Sequence, residues 1–264
     1  MKYRTPARPT AARHPRRWFA WLLACALALG CAMAAAADIA ALRAAAQRGD
    51  AAAQTELGFA YATGNGVPRN PVQAVALYRK AAEQGYAVAQ ANLGFAYADG
   101  SGVRLDLKQA APWFRKAAEQ GYAPAQASLG ALYTMGAGVP RDYRQALHWL
   151  RKAAEQGNAT AQYNLGVLYT DNSGVPRDLA TAAAWHRRAA EQGYADAQAN
   201  LGAFYANGQG VPRDFIQAYL WLDLAAERGS AGASGNRAKV AAQMTPDQIV
   251  AARRLVSEWR PRAP

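Results

Sequence analysis

A strict 36-residue period constrains this chain of 264 residues more than any other feature. A glycine, a Leu-Gly pair and a tyrosine recur at that interval in every unit, and a tryptophan recurs in four of the units. Repeats of this length are supersecondary units that bury a core only by stacking, so the period predicts a solenoid. The five units follow one another without insertion or deletion, as 50–85, 86–121, 122–157, 158–193 and 194–229.

The first half of each unit has the pattern of an amphipathic helix, called helix A below. In the second unit, Ala89, Leu93 and Tyr97 lie at i, i+4 and i+8, on one face of a helix. A Gly-x-Gly-Val stretch follows and ends the helix, because glycine adopts positive φ without strain. In the fourth unit Asn172 replaces the first of these glycines, and asparagine is the next-best residue for a left-handed position.

The second half of each unit predicts another helix, helix B, which carries residues such as Trp113 and Phe114 inward. We expect its small residues to nest against Gly94 of helix A, where the missing Cβ allows close approach. Pro112 lies inside helix B and removes one hydrogen bond, so we expect a kink there. The side-chain caps of helices B are Asp106, Asp142, Asp178, Asp214 and, in the first unit, Asn70 followed by Pro71. These patterns predict an all-α stack of helix-turn-helix units.

The repeated motifs A-x-A-Q-x-x-L-G-x-x-Y, G-x-G-V-P-x-D, A-x-x-W and A-A-E-Q-G resemble those of the Sel-1-like repeat family, relatives of tetratricopeptide repeats. The resemblance covers residues 50–229 and implies a right-handed α-solenoid, a tetratricopeptide-like superhelix that serves as a scaffold or adaptor for protein partners. Many bacterial members are exported. This chain lacks the cysteine pairs of the disulfide-stapled subgroup, so no activity of that subgroup is carried over. In the second unit, Arg104-Leu105 replaces the Pro-Arg of the loop and predicts a looser turn.

Both ends of the repeat array are predicted to be covered, because a terminal unit would otherwise expose its apolar face. Residues 38–49 are predicted to form a leading capping helix. Residues 230–264 are predicted to form C-terminal capping helices, the last opened by a capping box from Thr245 to Gln248 with proline at the first helical position.

The start of the chain has the pattern of a bacterial export signal. Residues 1–17 carry six basic and no acidic side chains, and an uncharged stretch follows to Ala37, where three consecutive alanines fit a signal-peptidase site. The sequence therefore predicts a Sec-type signal peptide over 1–37 and a periplasmic or secreted protein. An uncleaved membrane anchor is the alternative, because the apolar span is just long enough to cross a bilayer.

Two weaker signals overlap this segment. Arg16-Arg17 resembles part of a twin-arginine motif, and the residues before Cys31 resemble a lipoprotein box. Cys25 and Cys31 are the only cysteines, so a chain cleaved after Ala37 has no disulfide, no thiolate nucleophile and no Cys-ligated metal. We expect membrane contact only through the signal or through a lipid anchor.

The formal net charge of +12 suggests nucleic-acid binding until it is divided along the chain. Residues 1–37 contribute +6, residues 38–49 and the repeats +1 each, and residues 230–264 the remaining +4. The repeats are almost neutral, so the sequence predicts no nucleic-acid partner.

Few residues of this sequence are candidates for catalysis or metal binding. His148 and His186 are the only histidines after residue 37, and we expect both at the surface. No HExxH, GxSxG, SxxK or Walker-type run occurs, and turn geometry explains the repeated glycine loops. We therefore expect no enzyme, no cofactor and no metal, with a cell-wall-associated enzyme or its accessory subunit as the alternative. Core packing is predicted for the repeated tryptophans, which are Trp113, Trp149, Trp185 and Trp221.

The resemblance to tetratricopeptide solenoids implies a concave binding face formed by helices A. Its small, apolar lining suits an amphipathic helix or an extended peptide, so a protein or peptide partner of unknown identity is expected, bound by a monomer. The alternative is that these positions are partly buried in a tight superhelix and bind nothing. By repeat position the groove is predicted to be lined by Thr55, Phe59, Ala91, Phe95, Ala127, Ala131, Tyr163, Val167, Ala199 and Ala203.

A second candidate surface is a row of arginines along the loop edge. Three of them directly precede a cap aspartate, which favours a solvated, locally neutralised row over an anion site. The arginines are Arg69, Arg141, Arg177 and Arg213.

Overall fold

The computed structural model describes residues 38–172 and 174–259, and the predicted signal peptide lies outside them. Within those ranges the regular elements are all helices, in antiparallel pairs that repeat every 36 residues. The predicted all-α solenoid of helix-turn-helix units is therefore confirmed.

The helices have the same length in every unit. Helices A are α2 (Ala51–Thr63), α4 (Ala87–Asp99), α6 (Ala123–Met135), α8 (Ala159–Asp171) and α10 (Ala195–Asn207). Helices B are α3 (Pro71–Glu83), α5 (Leu107–Glu119), α7 (Tyr143–Glu155), α9 (Leu179–Glu191) and α11 (Phe215–Glu227). A helix over 38–47, α1, precedes them, and α12 (Ala233–Ala241) and α13 (Pro246–Trp259) follow.

Local signals explain where these helices begin and end. Every helix A is followed by a residue in the left-handed region, glycine in four units and Asn172, with φ 52°, in the fourth. The predicted caps of helices B accept backbone N–H bonds; in α5, for example, Asp106 accepts from Lys108 and Gln109 at 2.9 and 3.2 Å. Thr245 and Gln248 form the reciprocal capping box of α13.

Pro112 lies exposed within α5, which begins and ends at the same repeat positions as the other helices B. The helix therefore continues through the proline, and the kink stays a prediction.

Helices A and B pack around the glycine in the middle of helix A. A Cβ added to Gly94 would lie 2.7 Å from the Phe114 ring, and one added to Gly130 would lie 2.6 Å from Leu150. The prediction that small residues fill this position is only partly right. In three units the carbonyl of an alanine of helix B lies close to the glycine, but in all five units a large side chain of helix B covers the glycine. That side chain is Tyr78, Phe114, Leu150, His186 or Leu222 in successive units.

This packing corrects the placement of His186. It was expected at the surface, yet only 1% of the residue is exposed, because it occupies the large core position directly after the repeated tryptophan. His148 is exposed and lies edge-on to Trp149 at 4.8 Å between ring centroids.

The four repeated tryptophans all pack against the core but differ in burial. Trp149 and Trp221 are buried, which confirms core packing for these two, whereas Trp113 and Trp185 are half-buried. Lys116 and Arg188 lie over the two half-buried rings, 4.4 and 4.5 Å from their centroids. A cation over an indole ring stabilises a partly exposed tryptophan.

Two sets of polar contacts join neighbouring units. A buried glutamine of helix A donates to a carbonyl at the end of the preceding helix, which is α1 for the first unit and a helix B for the others, at 3.0–3.2 Å. In four units the same glutamine accepts from the glutamine that ends its own helix B, at 2.7–2.8 Å. An arginine of helix B also donates to the tyrosine hydroxyl of the next helix A, as in Arg79 to Tyr97 and Arg115 to Tyr133.

The terminal helices pack against the ends of the array. Ala46 of α1 lies in an apolar cluster with Leu57 and Leu77 of the first unit. At the other end, Trp259 of α13 contacts Trp221 edge-on, with ring centroids 4.9 Å apart.

Candidate peptide-binding groove

Two neighbouring pairs of helices A approach each other closely. Helix α2 lies close to α4, and α6 lies close to α8, with several pairs of Cα atoms within 8 Å of each other. Successive helices B approach each other less. In a curved stack the layer whose helices lie closer together is the inner one, so this approach favours helices A as the inner layer, and the groove stays a prediction.

The ten predicted groove residues form two rows with different exposure. The first row is mostly beneath the surface: its first three members are buried and its last two are half-buried. It consists of Thr55, Ala91, Ala127, Tyr163 and Ala199. The second row faces solvent to a greater extent, with two exposed and three half-buried members. It consists of Phe59, Phe95, Ala131, Val167 and Ala203.

The exposed apolar side chains of the second row lie at its beginning. Phe59 is 57% exposed and Phe95 38% exposed, although both are large apolar residues. They border a cleft of about 210 Å³ between α2 and α4, whose floor is formed by Ala74, Val75 and Tyr78 of α3. We call this cleft the Phe59/Phe95 cleft. The Phe95 ring rests edge-on against Phe114, 4.9 Å away, so the core holds its orientation.

Polar residues also line this face, and the sequence reasoning missed them. Asn92 and Asp99 line the Phe59/Phe95 cleft, and half-buried polar residues occupy the Asn92 position in three further units. An asparagine amide has donors and an acceptor that match a peptide bond. These polar residues could have been found from the sequence, because they recur at the same position of each 36-residue unit. The residues at that position are Glu56, Asn92, Ser128, Asn164 and Asn200.

An aromatic cluster surrounds the predicted groove residue Tyr163 in the fourth unit. The Tyr163 ring lies 5.0 Å from Tyr194 and 5.7 Å from the buried ring of His186. Burial, with Asp196 nearby, raises the pKa of Tyr163 above its usual value. Burial also lowers the pKa of His186 to about 4, and its Nδ1 has no hydrogen-bond partner among the described residues. His186 is therefore neutral at pH 7.

Two of the four predicted loop arginines bond to the C-terminal ends of helices A. Arg69 donates from Nε to the carbonyl of Ala62 at 3.0 Å, and Arg141 donates to the carbonyl of Met135 at 3.4 Å. These carbonyls are the ones that a helix leaves unpaired at its C-terminal end, where a positive charge is favourable.

Among residues 38–172 and 174–259 no group of His, Cys, Asp and Glu side chains is arranged to hold a metal ion. No helix of this part of the chain is both long and apolar enough to span a bilayer.

The repeats match the family model for the Sel1 repeat at residues 51–86, 87–122, 123–158, 159–194 and 195–230. The chain belongs to the Sel1 repeat family. The matched segments begin one residue after the units read from the sequence, and they confirm the resemblance. Sel1 repeat proteins generally mediate protein–protein interactions, and the fold is typically a non-catalytic interaction scaffold.

Solved structures agree with the family. A Sel1 repeat protein from Oxalobacter formigenes is 39% identical over 70% of this chain and 74% of its own, with a TM-score of 0.67. The protein c5321, a protective antigen of uropathogenic Escherichia coli with an SLR fold, is 32% identical over 86% of this chain and 56% of its own, with a TM-score of 0.57. No curated protein matches the chain.

Proposed function

We propose that this protein is an exported, non-catalytic scaffold that recognises a protein or peptide segment in the bacterial envelope through its concave face. Its family supports the role in protein interaction. The observation that carries the choice of face is the exposure of Phe59 and Phe95 beside an open cleft. Large apolar side chains at the rim of a concave site are typical of surfaces that bind partners.

The alternative, a superhelix too tight to bind, fits the first row better than the second. Thr55, Ala91 and Ala127 are buried and offer a partner little surface. The second row therefore carries the proposal, and the first row holds the backbones of helices A against the rest of the core.

A capture experiment tests the concave face. Wild-type protein and the variants Phe95→Arg and Phe59→Arg are immobilised and incubated with envelope extract. Because the new charge occupies the rim of the cleft, we expect both variants to lose partners that the wild type retains. Val250→Arg is the matched control, since Val250 is 68% exposed on α13, away from the groove. Equal recovery by wild type and groove variants would contradict the concave-face proposal.

Cell fractionation tests export. The full-length gene product is expressed in a Gram-negative host, and the N-terminal sequence of the accumulated protein is determined. We expect periplasmic protein that begins at Asp38, because the sequence pattern places the cleavage site after Ala37. Protein that stays in the cytoplasm with Met1 intact would overturn the export part of the proposal and leave the groove untouched.

A further inference from the structure

Charge is segregated between the two layers of helices. Helices A carry no lysine or arginine, and their charged residues are all carboxylates. Every basic residue of the repeats lies on a helix B or in a turn or loop. The carboxylates are Glu56, Asp99, Asp171 and Asp196. The repeats are therefore nearly neutral as a whole, but four of the five helices A carry one carboxylate and no cation, whereas helices B and the loops carry both signs of charge.

Many of the cations on helices B and in the loops are engaged away from the groove. Arginines of helices B donate to tyrosine hydroxyls between units, as Arg79 does to Tyr97 at 2.8 Å. Others lie over tryptophan rings, as Lys116 does over Trp113. Arg69 is the cation that lines the Phe59/Phe95 cleft, and it donates to the carbonyl of Ala62 at the end of α2. There it offsets the negative end of the helix dipole, and it also balances the charge of Asp99 within the cleft, so Glu56 beside the cleft is the carboxylate in excess.

The carboxylates and the exposed rings share one surface. Glu56 precedes Phe59 by three residues on α2, and Asp99 follows Phe95 by four residues on α4, so each carboxylate lies one turn from a ring on the same face. Asp99 itself lines the cleft and is the last residue of α4, where the helix dipole disfavours a negative charge. A bound cation would relieve that unfavourable interaction.

We propose that the groove takes a cationic peptide segment of a partner protein, with an apolar side chain in the Phe59/Phe95 cleft and flanking lysines or arginines against Glu56 and Asp99. This inference rests on the concave-face function proposed above and specifies its partner. Lysine and arginine suit such a surface, because their aliphatic stems cover apolar rings while their charged ends reach the carboxylates. Either cation over a phenyl face adds a further attraction.

The test uses two synthetic peptides of equal length, each with phenylalanine at every third position and either lysine or glutamate between. Binding to the full chain is measured by fluorescence anisotropy in low salt. We expect the lysine peptide to bind at least about tenfold more tightly than the glutamate peptide, because glutamates placed against Glu56 and Asp99 would be repelled. Its affinity falls as salt rises from about 0.05 to about 0.5 M, because salt screens exposed charges.

The double variant Glu56→Gln/Asp99→Asn removes two carboxylates from the groove with little change in shape. We expect it to lose most of the preference for lysine. The control Glu83→Gln/Glu119→Gln removes the same charge from exposed positions of helices B and keeps the preference.

Three results would overturn the inference: equal binding of both peptides, binding of neither, or the same loss in the groove variant and the control. If both peptides bind equally, or neither binds, the proposal that the groove binds a partner still holds provided that Phe95→Arg abolishes partner capture. Capture that is indifferent to Phe95→Arg removes the groove proposal itself, so the two failures are distinguishable.

Discussion

Replacing His186 with leucine is the sharpest test of the core described above. His186 is almost fully buried against Gly166, with the Phe204 ring 5.5 Å away, and its Nδ1 has no hydrogen-bond partner among the described residues. Leu150 and Leu222 fill the same position in other units, so the fold already accommodates leucine there. We expect His186→Leu to stabilise the protein by about 1–3 kcal/mol at pH 7, the cost of an unsatisfied buried polar group.

The stabilisation should grow as the pH falls. Burial lowers the pKa of His186 to about 4 in the folded protein, whereas an unfolded chain takes up that proton near 6.5. Below pH 6.5 the unfolded state therefore binds more protons than the folded state, and the free energy of unfolding decreases as the pH falls. Each pH unit costs about 1.4 kcal/mol, so the total loss approaches about 3 kcal/mol near pH 4. His186→Leu abolishes this contribution.

The assay is urea unfolding followed by circular dichroism at several pH values between 7.5 and about 4. Carboxylates titrate in the same range, so the informative quantity is the difference between wild type and variant at each pH. The control is the substitution His148→Gln at the exposed His148. When it is added to both proteins, the difference in stability between wild type and His186→Leu should stay the same at each pH. A difference that stays constant with pH would show that His186 is accessible to protons in the folded state and would refute its burial.

Three further substitutions test the packing and the contacts between helices. Trp149→Ala should lower the free energy of unfolding by about 3–5 kcal/mol because it empties a buried site, and a melting temperature equal to that of the wild type would argue against its place in the core. Gly130→Ala should destabilise by about 1–3 kcal/mol because the new methyl group meets Leu150, and calorimetry should find a smaller additional loss when Leu150→Ala is combined with it. Gln126→Ala should cost about 1 kcal/mol because it removes the buried hydrogen bond from Gln126 Nε2 to the carbonyl of Ala118 at 3.0 Å; no change in the urea midpoint would count against that contact.

Much of the fold could be predicted from the sequence because its signals act within one unit. Helix ends depend on side chains only two or three residues away, as with the Asp106 cap, and on the left-handed preference of glycine or Asn172. The capping box of Thr245 and Gln248 is equally local. Each of these was predicted correctly, and the strict period carried each one from unit to unit.

The candidate groove was predictable only in part. Its repeat positions follow from the period, but the depth of each position depends on how closely neighbouring helices A approach. Ala91 and Ala127 lie in the core, whereas Phe95, four residues after Ala91, lies at the surface. Side-chain volume cannot predict this difference, because the large residue is exposed and the small ones are buried.

The sequence alone determined the family, the helix pairs, their caps and the acidic composition of helices A, because these follow from local chemistry repeated at a fixed interval. Only the tertiary structure decided that His186 is buried and that Gln84 bonds to Gln54 across thirty residues. It also decided that Phe59 and Phe95 border an open cleft. These outcomes depend on the distances between helices. Many packed side chains set those distances together, so no local residue pattern encodes them.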